Sequence, residues 1–155
     1  SSAASDVYKR QVGGNHEKTQ SFEDWQTQYF TQLENSNPAI SGPKADPDQD
    51  GINNFSEYAL GYSPKIFQSS ILKPIIKIDE DGESYLYVEF LAAPGNRDAN
   101  IKVQSSEDLI SWSDNVQEMD SSEIDPTGFE IKRFRITKPL KNSPNSAFLR
   151  INVTE

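Results

Sequence analysis

The sequence predicts a mainly β protein, a small antiparallel β-sandwich preceded by a short helical segment. Residues 84–91 alternate apolar side chains with polar and aromatic ones, as a half-buried strand does. Five clear strands follow one another at short spacing, with weaker candidates near Val116 and Met119. Helical periodicity occurs before Pro64, and the pattern changes to β alternation after it.

The predicted strands span residues 71–79, 84–91, 101–105, 129–137 and 149–153. The acidic, glycine-bearing turn D-E-D-G-E joins the first two, which predicts a hairpin. If this turn were a calcium loop that began at Asp79, position 12, which requires an acidic ligand, would be Phe90. An ordinary hairpin turn is therefore favoured. The apolar phase slips between Ile131 and Phe134, which indicates a β-bulge or burial on both faces.

The helical segment begins with a predicted cap, in which Ser21 and Asp24 have the spacing of a capping box. Apolar side chains then recur at helical spacing, which predicts one helix of about three to four turns. Its apolar face comprises Phe22, Trp25, Tyr29 and Leu33, with Phe30 beside them.

Composition excludes several classes of function. Among 155 residues, 24 are acidic and 15 basic, giving a net charge of −9, so nucleic acids and anionic lipids are poor partners. Apolar runs reach four residues, against roughly 20 for a bilayer span, so no membrane insertion is expected. The chain has no cysteine, and its single histidine, His16, excludes zinc sites built from several histidines.

The first eleven residues, SSAASDVYKRQ, share neither composition nor periodicity with the rest of the chain. They resemble, codon for codon, the in-frame translation of a transposase sequencing adapter. We expect residues 1–11 to be an assembly scar outside the fold, and the natural protein to extend further upstream. Residues 12–20 then form a polar linker, residues 21–64 the helical segment, and residues 65–155 the β-sandwich domain.

The most informative motif is D-P-D-Q-D-G-I-N-N-F-S-E, at residues 46–57. Oxygen-bearing side chains occupy positions 1, 3, 5, 9 and 12 and a glycine position 6, which is the ligand spacing of an EF-hand-type calcium loop. The carboxylates repel one another unless a cation neutralises them, although an acidic, solvated turn is the simpler alternative. Calcium fits better than magnesium because about six or seven flexible oxygens are offered. The candidate ligands are Asp46, Asp48, Asp50, the Ile52 carbonyl, Asn54 and Glu57.

The loop departs from a paired EF-hand at its eighth position. A paired loop carries an aliphatic residue there, whereas this sequence has Asn53 and contains no second loop. A short helix over residues 54–60, capped by Gly61, is expected to follow. The motif therefore resembles the unpaired loops of bacterial thrombospondin type 3-like repeats more than a calcium sensor.

Four motifs in order extend the resemblance over nearly all of residues 21–155. They are F-x-D-W from Phe22, D-P-D-x-D-G-x-x-N-x-x-E-Y-A-L-G from Asp46, S-x-D-L-x-x-W from Ser106 and F-L-R-x-x-V from Phe148. Together they resemble a C-terminal module of exported bacterial proteins, common in the Verrucomicrobiota and Planctomycetota. The resemblance implies a calcium-stabilised, non-catalytic accessory module, extracellular or at the cell surface, whose partners are upstream domains of the same polypeptide.

A carbohydrate-binding module that targets an upstream polysaccharide-degrading enzyme is the alternative. Trp25 and Trp112 are expected in the core, so Tyr85 and Tyr87 are the better candidates for an exposed aromatic pair. A hydrolase ranks last because the sequence shows no constellation of nucleophile and base.

Overall fold

The computed structural model describes residues 20–94, 98–120, 123–126, 128–142 and 146–155. Within these ranges the chain is mainly β, with six strands in two antiparallel sheets and a few short helices, so the predicted fold class is confirmed. The adapter-like stretch, residues 1–11, and nearly all of the linker, including His16, lie outside the described residues.

Short α-helices precede the sheets: α1 Phe22–Tyr29, α2 Gln32–Asn35, α3 Pro38–Ser41 and α4 Asn54–Leu60. The serine half of the predicted capping box of α1 is confirmed, because Asp24 donates its backbone N–H to the Ser21 hydroxyl at 3.1 Å. Over the described part of the chain, none of the helices has the length and apolarity that a bilayer crossing requires.

The prediction of one helix through Leu33 is wrong. Helix α1 ends at Tyr29 because Phe30 is extended, with φ −113° and ψ 142°. Thr31 then starts α2 with a capping box, in which its hydroxyl accepts from the Glu34 N–H while the Glu34 carboxylate accepts from the Thr31 N–H. This break turns Leu33 outward, where its side chain is 82% exposed.

The strands are β1 Lys73–Ile78, β2 Ser84–Ala92, β3 Asn100–Ser106, β4 Val116–Met119, β5 Glu130–Ile136 and β6 Phe148–Thr154, with a 3₁₀ turn at Leu140–Asn142. One sheet has the order β1-β2-β5-β4, and the other pairs β3 with β6. The predicted hairpin is confirmed, since β1 and β2 pair antiparallel across the D-E-D-G-E turn. Pairing of β2 with β5 runs without interruption from Tyr87–Arg135 to Ala92–Glu130, so the phase slip in β5 reflects partial burial on both faces.

The main core lies between the two sheets. Val88 and Phe90 of β2 pack with Val103 of β3, and Leu60 joins them from α4. The Phe90 and Phe134 rings stack with centroids 6.0 Å apart. Because Leu60 ends α4, this core fixes the C-terminal end of the helix that follows the acidic loop.

A second, aromatic cluster supports the helical segment. Trp25, Phe30, Phe55 and Tyr58 form it, and Trp25 is 1% exposed, which confirms the core position predicted for this tryptophan. Val153 of the last strand packs against the same cluster. The aromatic cluster thus holds α1 and α4 against the strand pair β3–β6.

The prediction of an exposed pair at Tyr85 and Tyr87 is wrong, since their side chains are 5% and 3% exposed. The Arg135 guanidinium lies 4.2 Å from the centroid of the Tyr85 ring, and the Lys77 ammonium lies 5.2 Å from that of Tyr87. These long basic side chains cover the sheet face opposite Val88.

The D-E-D-G-E segment is a turn, as predicted, and the carboxylates of Asp79 and Asp81 are engaged within the protein. Asp81 accepts from the Tyr85 hydroxyl at 2.6 Å. Asp79 accepts from the Tyr87 hydroxyl and pairs with Arg135. These contacts give the acidic turn a structural role in fixing the two tyrosines.

Candidate metal centre

The acidic loop lies between α3 and α4, and its first aspartate organises the backbone. The N–H groups of Asp50 and Gly51 donate to the Asp46 carboxylate at 3.2 and 2.9 Å. Gly51 reaches φ +90°, a left-handed conformation that glycine adopts without strain, and this allows the sharp turn at the sixth position. The loop therefore curls around its own acidic side chains.

The curled loop brings three of the predicted ligands together. Asp46, Asp48 and Asp50 each offer a carboxylate oxygen, and these oxygens all lie within 4.8 Å of one another. Like charges at this separation repel, and a divalent cation between them would reverse the sign of the interaction. The group has the composition and the spacing to hold a metal ion.

Asp50 also connects the loop to the segment that leads into β1. Its carboxylate accepts from the Ile52 N–H at 2.8 Å and from the Gln68 N–H at 2.9 Å. Sequence reasoning missed Gln68, and no local signal could have revealed it, because the donor is a backbone group 18 residues further along the chain. This bond ties the acidic loop to the β-rich part of the protein.

Asp48 and Glu57 provide the clearest sign that the site could accept a further group. All four of their carboxylate oxygens are buried, and none finds a hydrogen-bond partner among the residues that the structure describes. The Glu57 side chain is 0% exposed. Buried carboxylates are normally paired or bound to a metal, because desolvating an isolated charge is costly. A cation ligated by these oxygens would satisfy them.

The electrostatics of the site agree with this geometry. Burial is the largest cause that raises the pKa of Glu57, and together with the negative charges of Asp48, Asp50 and Asp46 it brings this pKa to about 8. Burial also raises the pKa of Asp48, with the charge of Asp50 adding to the effect. Without a cation, the folded protein thus disfavours the charged forms that a metal would bind.

Helix α4 positions the remaining predicted side-chain ligands, Asn54 and Glu57. Asn54 donates its Nδ2 hydrogens to the carbonyls of Ile40 and Gly42, both at 2.9 Å. Its Oδ1 is buried and lacks a partner within the described ranges, so this oxygen is available as a ligand. Ile52, predicted to contribute its carbonyl, lies in the same loop between Gly51 and α4.

The unusual residue at the eighth position has a structural explanation. Asn53 is the N-cap of α4, and its Oδ1 accepts from the Ser56 N–H at 2.9 Å. The helix ends at Leu60 with Gly61 in the left-handed conformation, as predicted. Asn53 thus starts the helix that carries Glu57.

No protein-family model, curated protein or solved structure matches the chain. Fold and site alone therefore define its class. It is a mainly β protein whose helical segment presents an acidic loop able to hold a metal ion.

Proposed function

We propose that the chain is a non-catalytic, calcium-binding accessory module at the C-terminus of a larger secreted or cell-surface bacterial protein. The observation that carries the proposal is that the carboxylates of Asp48 and Glu57 are buried with no donor in the described chain. Asp48 also lies in the cluster with Asp46 and Asp50, whose ligand oxygens are all within 4.8 Å of one another. Such an arrangement is unfavourable in itself and becomes favourable when a hard cation fills it.

The donor set favours calcium among the available cations. Every candidate ligand is an oxygen: four carboxylates, the Asn54 amide and the Ile52 carbonyl. Glu57 can offer both oxygens, which brings the coordination to about seven, within the range that calcium prefers. Magnesium requires a tighter octahedron and retains water, for which a buried bidentate glutamate is poorly suited.

The connections of the loop support a structural role for the ion. Glu57 lies on α4, whose Phe55 and Tyr58 belong to the aromatic cluster and whose Leu60 enters the core between the sheets. Asp50 reaches the segment before β1 through Gln68. An ion bound to Asp50 and Glu57 would therefore stiffen the junction between the helical segment and the sheets, which suits an accessory module attached to upstream domains.

Thermal unfolding with calcium, with magnesium and with chelator tests the metal. At millimolar free calcium, a site with a dissociation constant ~100-fold lower gains ~2.7 kcal/mol of stability. We expect a clear rise in the midpoint with calcium and a smaller rise with magnesium. The double variant Asp46→Asn, Asp50→Asn should lose the response, and equal midpoints for the parent protein in calcium and in chelator would refute the proposal.

The accessory role is tested separately, by sequencing the gene upstream of the segment that encodes this chain. We expect the reading frame upstream of residue 12, recovered from adapter-trimmed sequence, to encode an export signal and at least one further domain. An upstream stop codon or an intracellular enzyme fused directly to this segment would contradict that part of the proposal.

A further inference from the structure

A cleft of about 430 Å³ lies apart from the acidic loop, beside the residues that follow β3 and β5. Its volume falls within the roughly 300–1,000 Å³ of small-ligand sites. Five of its twelve lining residues carry hydroxyl groups, namely Ser105, Ser106, Ser111, Ser113 and Thr137, and Trp112 forms part of the wall. The cleft thus combines many hydroxyl groups with one large aromatic surface.

Trp112 is half-buried and lines this cleft, so the core position expected for it is wrong. The Arg150 guanidinium lies 4.3 Å from the centroid of its ring. Gln104 fixes Arg150 in turn, because its Oε1 accepts from Nε at 3.1 Å and from Nη2 at 2.8 Å. Trp112 belongs to the cleft lining and Arg150 does not, so the contact with Arg150 supports the indole from outside the cleft.

The charges around the cleft disfavour an anionic ligand. Glu107 and Lys138 pair with each other at 2.9 Å, which leaves Asp108 as the uncompensated charge among the lining residues that the structure describes. The N–H groups of Ser111 and Ile110 donate to Asp108 and lower the pKa of its carboxyl, so it stays ionised. A neutral ligand with many hydroxyl groups suits these surroundings.

The loop beside Trp112 adopts a conformation that local contacts maintain. Leu109 has φ +63°, a left-handed value that is uncommon for a residue other than glycine. The Ser106 hydroxyl accepts from the Leu109 N–H at 2.9 Å. The Asp108 carboxylate accepts from the N–H groups of Ile110 and Ser111. These bonds hold the cleft wall in place before any ligand arrives.

We propose that this cleft binds a neutral sugar residue of a polysaccharide, with the sugar ring stacked on Trp112 and its hydroxyl groups facing the hydroxyl-rich wall. A pyranose has an apolar face and a polar rim, which match an indole ring flanked by serine and threonine hydroxyls. The cleft is separate from the metal loop, so sugar binding would be a second binding function beside calcium binding. It also replaces Tyr85 and Tyr87, which are buried, as the aromatic platform.

Tryptophan fluorescence offers a direct readout, because Trp25 is 1% exposed and Trp112 is the accessible indole. The calcium-loaded protein should be titrated with neutral oligosaccharides of glucose, mannose, galactose and xylose, and with an oligogalacturonate. We expect at least one neutral oligosaccharide to change the emission, to protect Trp112 from acrylamide quenching and to give a calorimetric isotherm. Silence of every neutral sugar at millimolar concentration, or binding of the oligogalacturonate alone, would overturn the proposal.

Variants locate the binding in the cleft. Trp112→Leu removes the stacking surface, and Ser111→Gln places a longer side chain in the cleft without altering Trp112; each should weaken binding at least ~10-fold. Ile110→Ala is the matched control in the same loop, because Ile110 is 84% exposed and outside the cleft lining. Should Trp112→Leu fail to fold, Ser111→Gln still tests whether the sugar binds in the cleft. Unchanged affinity in Ser111→Gln would show that the sugar binds elsewhere.

Discussion

Asn54 donates its side-chain amide to the carbonyl of Gly42 at 2.9 Å, across 12 residues of chain. The same nitrogen also donates to the Ile40 carbonyl at 2.9 Å, while Oδ1 remains available for a metal ion. One side chain therefore closes the acidic loop onto the end of α3 and offers a ligand. Its two atoms have separable roles.

Asn54→Asp should separate these roles. The variant keeps an oxygen ligand but removes the donor from two carbonyls, and a buried polar group that loses its partner costs about 1–3 kcal/mol. We expect lower stability in chemical denaturation even with saturating calcium. Asn100→Asp, the same change at an exposed position, is the control and should change the free energy of unfolding little. Equal stabilities for the two variants would show that the amide bonds contribute nothing.

Glu57→Gln should be the most damaging single change for calcium binding. It preserves size and helix propensity but removes the charge and weakens bidentate coordination. Calorimetry should show affinity reduced ~10-fold or more, which is about 1.4 kcal/mol. In chelator, the variant should be no less stable than the parent, because the parent must either bury the Glu57 charge or take up a proton there on folding, and glutamine does neither.

Glu23→Gln provides the matched control for that measurement. Glu23 is exposed in the first turn of α1, and the substitution makes the same chemical change away from the loop. Calcium affinity should remain at the parent value. An undiminished affinity in Glu57→Gln would mean that position 12 of the loop is not a ligand.

Stability without metal should fall as the pH rises. The pKa of Glu57 is raised from 4.5 to about 8, so the folded protein binds this proton more tightly than the unfolded protein does. The stabilisation that Glu57 gives the folded protein is therefore fully present below about pH 4.5 and is lost as the pH rises through about 8. Asp48, whose pKa is also raised, acts in the same direction.

Urea unfolding in chelator across this pH window measures the effect. Carboxyls such as Glu34, whose pKa is lowered to about 2, titrate below the window and do not obscure it. Glu57→Gln should flatten the dependence. With calcium present, the stabilisation should instead grow with pH, because the ion competes with the proton for the same oxygens. A parent protein that gains stability with pH in chelator would contradict the assignment.

Gly61→Ala should destabilise the protein more than the backbone conformation alone explains. Gly61 has φ +80°, where a residue with a Cβ loses about 1–2 kcal/mol, and a Cβ there would also clash with the Phe129 ring. Gly82→Ala is the matched control, because Gly82 has φ +78° and open space around it. The difference between the two free energies of unfolding measures the ring contact, and equal losses would show that Phe129 moves aside freely.

Local patterns predicted the parts of the protein that local chemistry determines. The hairpin of β1 and β2, the weak strand at Val116–Met119 and the bounds of α4 all follow from alternation, turn residues and caps. The clustering of the loop aspartates likewise follows from their spacing and from a glycine with φ +90°.

The failures at Tyr85 and Trp112 share a cause, namely contacts with residues far along the chain. Tyr85 alternates as a surface residue does, yet Arg135 of β5 covers it, and that pairing is not visible in the local pattern. Trp112 looks like a core residue until Arg150 of β6 fixes it at the edge of a cleft. The break at Phe30 was different, because the T-x-x-E signal of α2 was present in the sequence and was outweighed by the apolar spacing.

The packing of Val153 on the Trp25 cluster joins the last strand to the first helix. That contact closes a loop over nearly the whole described chain. Closing this loop costs conformational entropy, and the chain loses that entropy before the contact can stabilise it. Chains dominated by such distant pairings fold in milliseconds to seconds, whereas helical bundles of similar size fold far faster. The helical segment, although it comes first and looks local, should therefore reach its native packing only after β6 has paired with β3. Trp25, shielded in the native protein, would report that final step as a late change in fluorescence.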